Sequence, residues 1–168
     1  MEPKTKRNLL FLLLGFFTYK FFSRTKTDLS NFINIDKKIN SGYGMRGGLL
    51  HKGIDFRALT GTKVLLLKKG VVEKINTSCK RTNPRSLECG GGWGNYITIN
   101  HGNNIKTRYA HLSKINVVEG EQLNYPVIIG ETGDTGNSTG PHLHWEYLVN
   151  NNRINGTGKQ NQYFNLIK

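Results

Sequence analysis

This chain has few cysteines, few acidic residues and no apolar run of the length a spanning helix ordinarily takes. Its two cysteines, Cys79 and Cys89, sit in 168 residues, too few for a thiolate zinc site of their own. The longest apolar run, Leu9 to Phe22, covers 14 positions with Lys20 inside it, short of the roughly 20 that cross a bilayer. Beyond that run no segment keeps a convincing helical period, which points away from a helical core. No internal repeat is visible. Acidic residues number 11 against 24 Lys and Arg, a net charge of +13. The cations are spread along the chain, and no helix-turn-helix, zinc finger or aromatic-basic RNA motif accompanies them. Nucleic-acid binding is therefore set aside.

The N-terminal run has the order of an export signal: Lys4, Lys6 and Arg7, then apolar residues. No A-x-A-like pair of small residues comes after it, and a cut near Ser23 would place bulky Phe21 at the upstream recognition position. Residues 1–24 are accordingly expected to form a retained hydrophobic helix that anchors the chain in a membrane, with a removed signal peptide as the alternative. Lys20 can snorkel to the interface. Cations lie on both sides of the run (Arg24 and Lys26 on its far side), so charge does not orient it. Residues 25–42 read as a linker or as an arm packed on the domain downstream.

From there the pattern is of short β-branched and aromatic runs: Lys63–Leu67, Val71–Ile75, Tyr96–Ile99, Ile105–Ala110, Val127–Ile129 and His142–Val149. Gly, Asn and Asp punctuate them. This predicts an antiparallel all-β architecture.

The chemistry-bearing residues are unusually concentrated. Four of the five histidines fall in three short stretches: His51-Lys52-Gly53-Ile54-Asp55, Tyr109-Ala110-His111-Leu112 and Gly140-Pro141-His142-Leu143-His144. Side chains two apart in a strand share a face, so His142 and His144 project together. One can bind a metal while its neighbour stays free. His51 and Asp55 flank Gly53, which with Gly47-Gly48 disfavours a helix and suggests a strand-entry loop folding both side chains to one point. Two imidazoles and a carboxylate are a common ligand set for catalytic zinc, with a position left for water. Each pair alone also arises by chance, as satisfied strand histidines or an incidental H-x-x-x-D.

Taken in order, these stretches resemble the LytM/lysostaphin-type zinc endopeptidases, which cut peptide bonds in bacterial peptidoglycan. The likeness runs from about Tyr43 to about Asn155. It includes Gly61-Thr62-Lys63-Val64, Gly94-Asn95-Tyr96-Ile97-Thr98-Ile99, His101-Gly102-Asn103, Thr107–Lys114, Ile129-Gly130 and Gly133–Glu146. The resemblance implies a β-sandwich-like fold of the duplicated-hybrid-motif type, with one Zn2+ in a groove over one sheet. It implies His51, Asp55 and His144 as zinc ligands and His111 and His142 as unligated catalytic groups. A zinc-activated water would be the nucleophile, with the two histidines exchanging protons and steadying the oxyanion. The implied domain spans 43–157, with a tail, 158–168, after it.

Other residues carry blander readings. His101 lies in the turn composition Asn100-His101-Gly102-Asn103-Asn104. Arg108 and Tyr109 fit substrate contact or strand packing, Trp93 a groove wall, and Trp145 the core. Cys79 and Cys89 enclose a connection longer than this family usually has. In an exported protein such a pair suggests a disulfide; in a reducing compartment two free thiols remain.

The expected function is a zinc endopeptidase acting on peptidoglycan cross-links or bridges from the periplasmic or extracellular side of a membrane. A secreted form and the virion membrane of a bacterial virus are alternative locations. The expected partners are peptidoglycan and the membrane, and wall polymers and anionic headgroups would both attract so basic a chain. The competing function is a non-hydrolytic, membrane-held module that binds the wall or activates another hydrolase.

Overall fold

In the computed structural model, residues 35–80, 86–124 and 126–167 are described. The expected N-terminal helix and anchor, residues 1–24, lie outside them. Among the described residues no helix is long and apolar enough to cross a membrane.

The described residues form strands β1 (Ile39–Ser41), β2 (Gly44–Arg46), β3 (Leu49–His51), β4 (Ile54–Arg57), β5 (Lys63–Leu66), β6 (Gly70–Asn76) and β7 (Tyr96–Asn100). They continue with β8 (Ile105–Ala110), β9 (Leu112–Ile115), β10 (Gln122–Leu123), β11 (Val127–Thr132), β12 (His142–Val149), β13 (Asn152–Ile154) and β14 (Phe164–Ile167). Short 3-10 turns stand at Ile35–Lys38, Cys89–Gly92 and Gln160–Gln162. The all-β expectation is met, and each of the six apolar runs named from sequence corresponds to a strand. The described strands not foreseen are all two to four residues long, too short to show a period.

The larger sheet has the order β1-β4-β12-β8-β7-β6-β10, with β13 also on β12. The smaller has the order β14-β5-β11-β9, and β2 and β3 make a separate hairpin. All pairings are antiparallel. Two-residue alternation along β12 decides what each face carries. Leu143, Trp145 and Tyr147 turn inward and are buried. His142, His144 and Glu146 turn the other way. The register extends this rule across the sheet. Trp145 lies opposite Ile54 and Tyr109, whereas His144 lies opposite Asp55 and Ala110, and Glu146 opposite Arg108.

The smaller sheet covers the inward face. Phe164 of β14 stands at its centre, 5.3 Å from the Phe56 ring and 5.5 Å from those of Tyr109 and Trp145. A fully buried side chain of this size contributes roughly 1.5–3 kcal/mol. The stretch read from sequence as a tail is thus, through Ile167, a turn and a paired core strand. The polar run from Asn155 to Gln162 concealed it. At the other end Ile35, within the segment read as a linker or arm, is fully buried, and β1 pairs with β4.

Candidate active site

The outward face of β12 and its neighbours forms the floor of a cleft. His144 arrives on β12, and Asp55 arrives directly opposite it on β4. His51 ends β3, turned in by the β2–β3 hairpin over Gly47 and Gly48, both at positive φ. The expected strand-entry loop is therefore two strands joined at Lys52-Gly53. Gly53 is required by close approach. A Cβ there would lie 2.4 Å from Cε1 and 2.5 Å from Nε2 of His144, so the imidazole rests on bare backbone.

These three side chains converge. Nδ1 of His144 is 2.7 Å from Oδ1 of Asp55 and 3.2 Å from Nε2 of His51. Nε2 of His51 is 3.2 Å from the same carboxylate oxygen. Ligand atoms around a tetrahedral ion with bonds of about 2.0–2.1 Å stand roughly 3.3 Å apart. The spacing and the two-nitrogen, one-oxygen donor set fit a divalent metal, and these residues form one possible metal-binding group. The outer nitrogens are also engaged. His51 Nδ1 faces the Gly42 carbonyl at 2.8 Å, and the Arg46 guanidinium lies against the same nitrogen. His144 Nε2 faces Oε1 of Glu146 at 3.3 Å. Arg46 also donates to Oδ2 of Asp55 at 2.9 Å.

His111 and His142 stand beside this group. His111 links β8 to β9 with a φ of 61°, a backbone state that ordinary residues rarely hold and that clusters at functional sites. Its amide donates to the Trp93 carbonyl at 2.8 Å. Its Nδ1 is 2.7 Å from the Thr135 carbonyl. His142 Nδ1 is likewise 2.8 Å from the Gly140 carbonyl. Carbonyls only accept, so each ring donates through Nδ1 and keeps the Nε2 lone pair for the cleft. The two ring centroids are 4.6 Å apart, and His142 Nε2 lies 3.8 Å from Asp55.

The electrostatics sort these groups. Burial pushes Asp55 up, but hydrogen bonds from His144 and His51 outweigh it and hold the carboxyl far below its ordinary range. Burial pushes His144 down, yet acceptance by Asp55 and Glu146 leaves it raised above 6.5 without a metal. His111 falls to about 4, through burial first and then the fields of His142 and His144. That value leaves the His111 imidazole uncharged at ordinary pH.

The cleft has a volume of about 560 Å3, and Leu50, Lys52, Leu87, Gly91 and Asn137 are among the residues that line it beside the histidines. That is within the range of small-ligand sites. Cys79 and Cys89 are joined in a disulfide, with Cα atoms 5.7 Å apart, and no described cysteine is free. The Cys89–Gly92 turn leads to Trp93, which lines the cleft.

The remaining sequence candidates fall elsewhere. His101 holds the Lys69 carbonyl and the Thr107 hydroxyl, both at 2.8 Å, a structural role. Tyr109 and Trp145 are core residues. Arg108 pairs with Glu146 at 2.9 Å. Glu146 and Arg46 were missed as site residues. Strand alternation from His144 could have placed Glu146 on the outward face; nothing local marked Arg46.

A β-sandwich with two imidazoles, a carboxylate and two free histidine nitrogens in one cleft is the arrangement of a metallopeptidase. Peptidase family M23 matches residues 49–156, and the chain belongs to that family. It is 41% identical over 105 residues to the peptidoglycan DD-endopeptidase ShyA of Vibrio cholerae, a stretch covering 62% of this chain and 22% of that protein. The chain thus spans about a fifth of the length of curated relatives it matches. The catalytic domain of lysostaphin from Staphylococcus simulans is similar in structure with a TM-score of 0.60 at 31% identity, covering 76% of this chain and 91% of that one. A zinc-containing peptidase from Vibrio cholerae gives a TM-score of 0.58 at 33% identity, covering 73% of this chain and 36% of that one.

Proposed function

We propose that this protein is a zinc-dependent endopeptidase that hydrolyses peptide bonds in bacterial peptidoglycan. The observation that carries the reading is the convergence of His51, Asp55 and His144 on one point, with His111 and His142 presenting free Nε2 atoms beside it. The first three would hold one Zn2+. A bound zinc supplies Lewis acidity, polarising the scissile carbonyl and lowering the pKa of water.

The protein's own groups do the rest. His111, kept neutral by burial and by its neighbours, is suited to accept a proton at Nε2. Its Nδ1–H stays on the Thr135 carbonyl, which fixes the tautomer. His142, held in the same way by Gly140, also turns Nε2 to the cleft, and whichever ring takes the proton released by the attacking water at Nε2 can pass that proton on to the leaving amine. Leu50 and Leu87, which both line the cleft, would give an extended peptide apolar contacts. Because the relatives include a peptidoglycan DD-endopeptidase, cross-linked stem peptides are the first substrate to test. Substrate placement requires the folded domain, which includes β1 and β14, to face the periplasm or the cell exterior. The apolar run Leu9–Phe22 supports a membrane anchor at 1–24.

The test is incubation of the purified protein with peptidoglycan of direct and glycine-bridged cross-link types, with zinc and with a chelator. Mass spectrometry should find a new amine and carboxylate pair that disappears with chelator and returns with zinc. Full zinc occupancy without cleavage of either wall would favour the non-hydrolytic module instead.

A further inference from the structure

We propose that Glu146 is a positioning residue for the metal centre: it takes the Nε2–H of His144 and thereby turns Nδ1 of that ring toward Asp55 and His51. The inference rests on the reading of His51, Asp55 and His144 as metal ligands.

An imidazole binds a metal through one nitrogen and must place the proton of the other on an acceptor. In His144 the nitrogen at the convergence point is Nδ1, 2.7 Å from Asp55 Oδ1. Nε2 must therefore carry the proton, and Oε1 of Glu146 lies 3.3 Å from it. Alternation makes this placement unavoidable, since residues 144 and 146 share the outward face of β12.

Packing alone gives no reason for a carboxylate here. Glu146 is 1% exposed, and a buried carboxylate is costly unless its oxygens are paired, while an apolar side chain would fill the space without that cost. The pairing is complete. Trp93 Nε1 donates to Oε1 at 2.9 Å, Arg153 Nη1 to Oε1 at 3.3 Å, and Arg108 Nη1 to Oε2 at 2.9 Å. Arg108 comes from β8 and Arg153 from β13, so three elements hold this oxygen pair against the ring. The same network reaches His111. Trp93 uses its indole N–H on Glu146 and its carbonyl on the His111 amide. Glu146 thus orients the ligand ring directly and shares a support with the strained turn that presents the candidate base.

Two measurements on the full-length protein test this. The first needs no substitution: the 15N-histidine NMR spectrum of the zinc-loaded protein should show His144 metal-bound at Nδ1 with a slowly exchanging proton on Nε2. The reverse tautomer overturns the proposal. The second is zinc affinity by competition with a chromophoric chelator, with circular dichroism to confirm folding. Glu146→Ala and the larger apolar Glu146→Leu should each bind zinc about 10–100-fold more weakly. Glu146→Gln, which keeps an acceptor oxygen, should recover part of the loss. A folded Glu146→Ala or Glu146→Leu protein with affinity within threefold of the parent overturns the proposal. Failure of the parent to bind zinc overturns the proposed function as well, a result distinct from loss confined to the variants.

Discussion

Loading the metal-free protein with zinc should expel a proton from His144. Without metal that ring is held above 6.5 by Asp55 and Glu146, which accept from it more strongly than burial opposes its charge. At pH 6 it is therefore mostly protonated, and its Nδ1–H is directed at Asp55 Oδ1 over 2.7 Å. A metal needs the lone pair of that nitrogen, so the proton must leave. His111, at about 4, is already neutral at pH 6 and releases none. Zinc affinity should accordingly rise with pH until the raised His144 value is passed and then flatten. Below that point, one displaced proton lowers apparent affinity about tenfold, or about 1.4 kcal/mol, per pH unit. Calorimetry at pH 6 in buffers of different ionisation enthalpy reads the count directly. The slope of observed against buffer enthalpy should correspond to at least about one proton per zinc. A slope of zero would refute the argument, because the ring would then be neutral before metal arrives.

Gly53→Ala should disable the site without touching a ligand: its Cβ would intrude to 2.4 Å from the His144 ring. Zinc affinity should drop more than about tenfold, and overpacking should cost about 1–3 kcal/mol in a urea melt; unchanged affinity would show that the ring has room to move. His111→Ala and His142→Ala should retain zinc by elemental analysis while turnover falls about 10²–10⁴-fold. Replacing His51, Asp55 or His144 by alanine should remove metal and activity together. Reducing the Cys79–Cys89 bond should lower stability by about 2–3 kcal/mol, the scale expected for closing a loop of this length. Zinc should remain bound on reduction, since neither sulfur is among the three converging donors.

The site shows which features are legible in one dimension. His142 and His144 share a face because they are two apart on a strand, and the sequence carried this in Gly140–His144. Gly53 could be read as a chain feature, but not its reason, which is a ring from a strand 89 positions downstream of Asp55. Glu146 looked like the end of a motif, although the alternation that placed His144 also placed it. Its pairing with Trp93, Arg108 and Arg153 comes from three separate segments. Phe164 was hidden in a different way. Four strand residues after a polar run carry too little pattern to announce that they fill the centre of a sandwich.

The all-β class and the longer strands were legible in the sequence, because alternation and turn chemistry act between neighbours along the chain; the five candidate site residues were named through resemblance to a family. The fold settles what pattern along the chain does not carry: which nitrogens of His51 and His144 face Asp55, that burial lowers the pKa of His111, and that β14 completes the core. Those properties depend on burial and on partners tens of residues away, and antiparallel pairing in register is what brings them within hydrogen-bond distance.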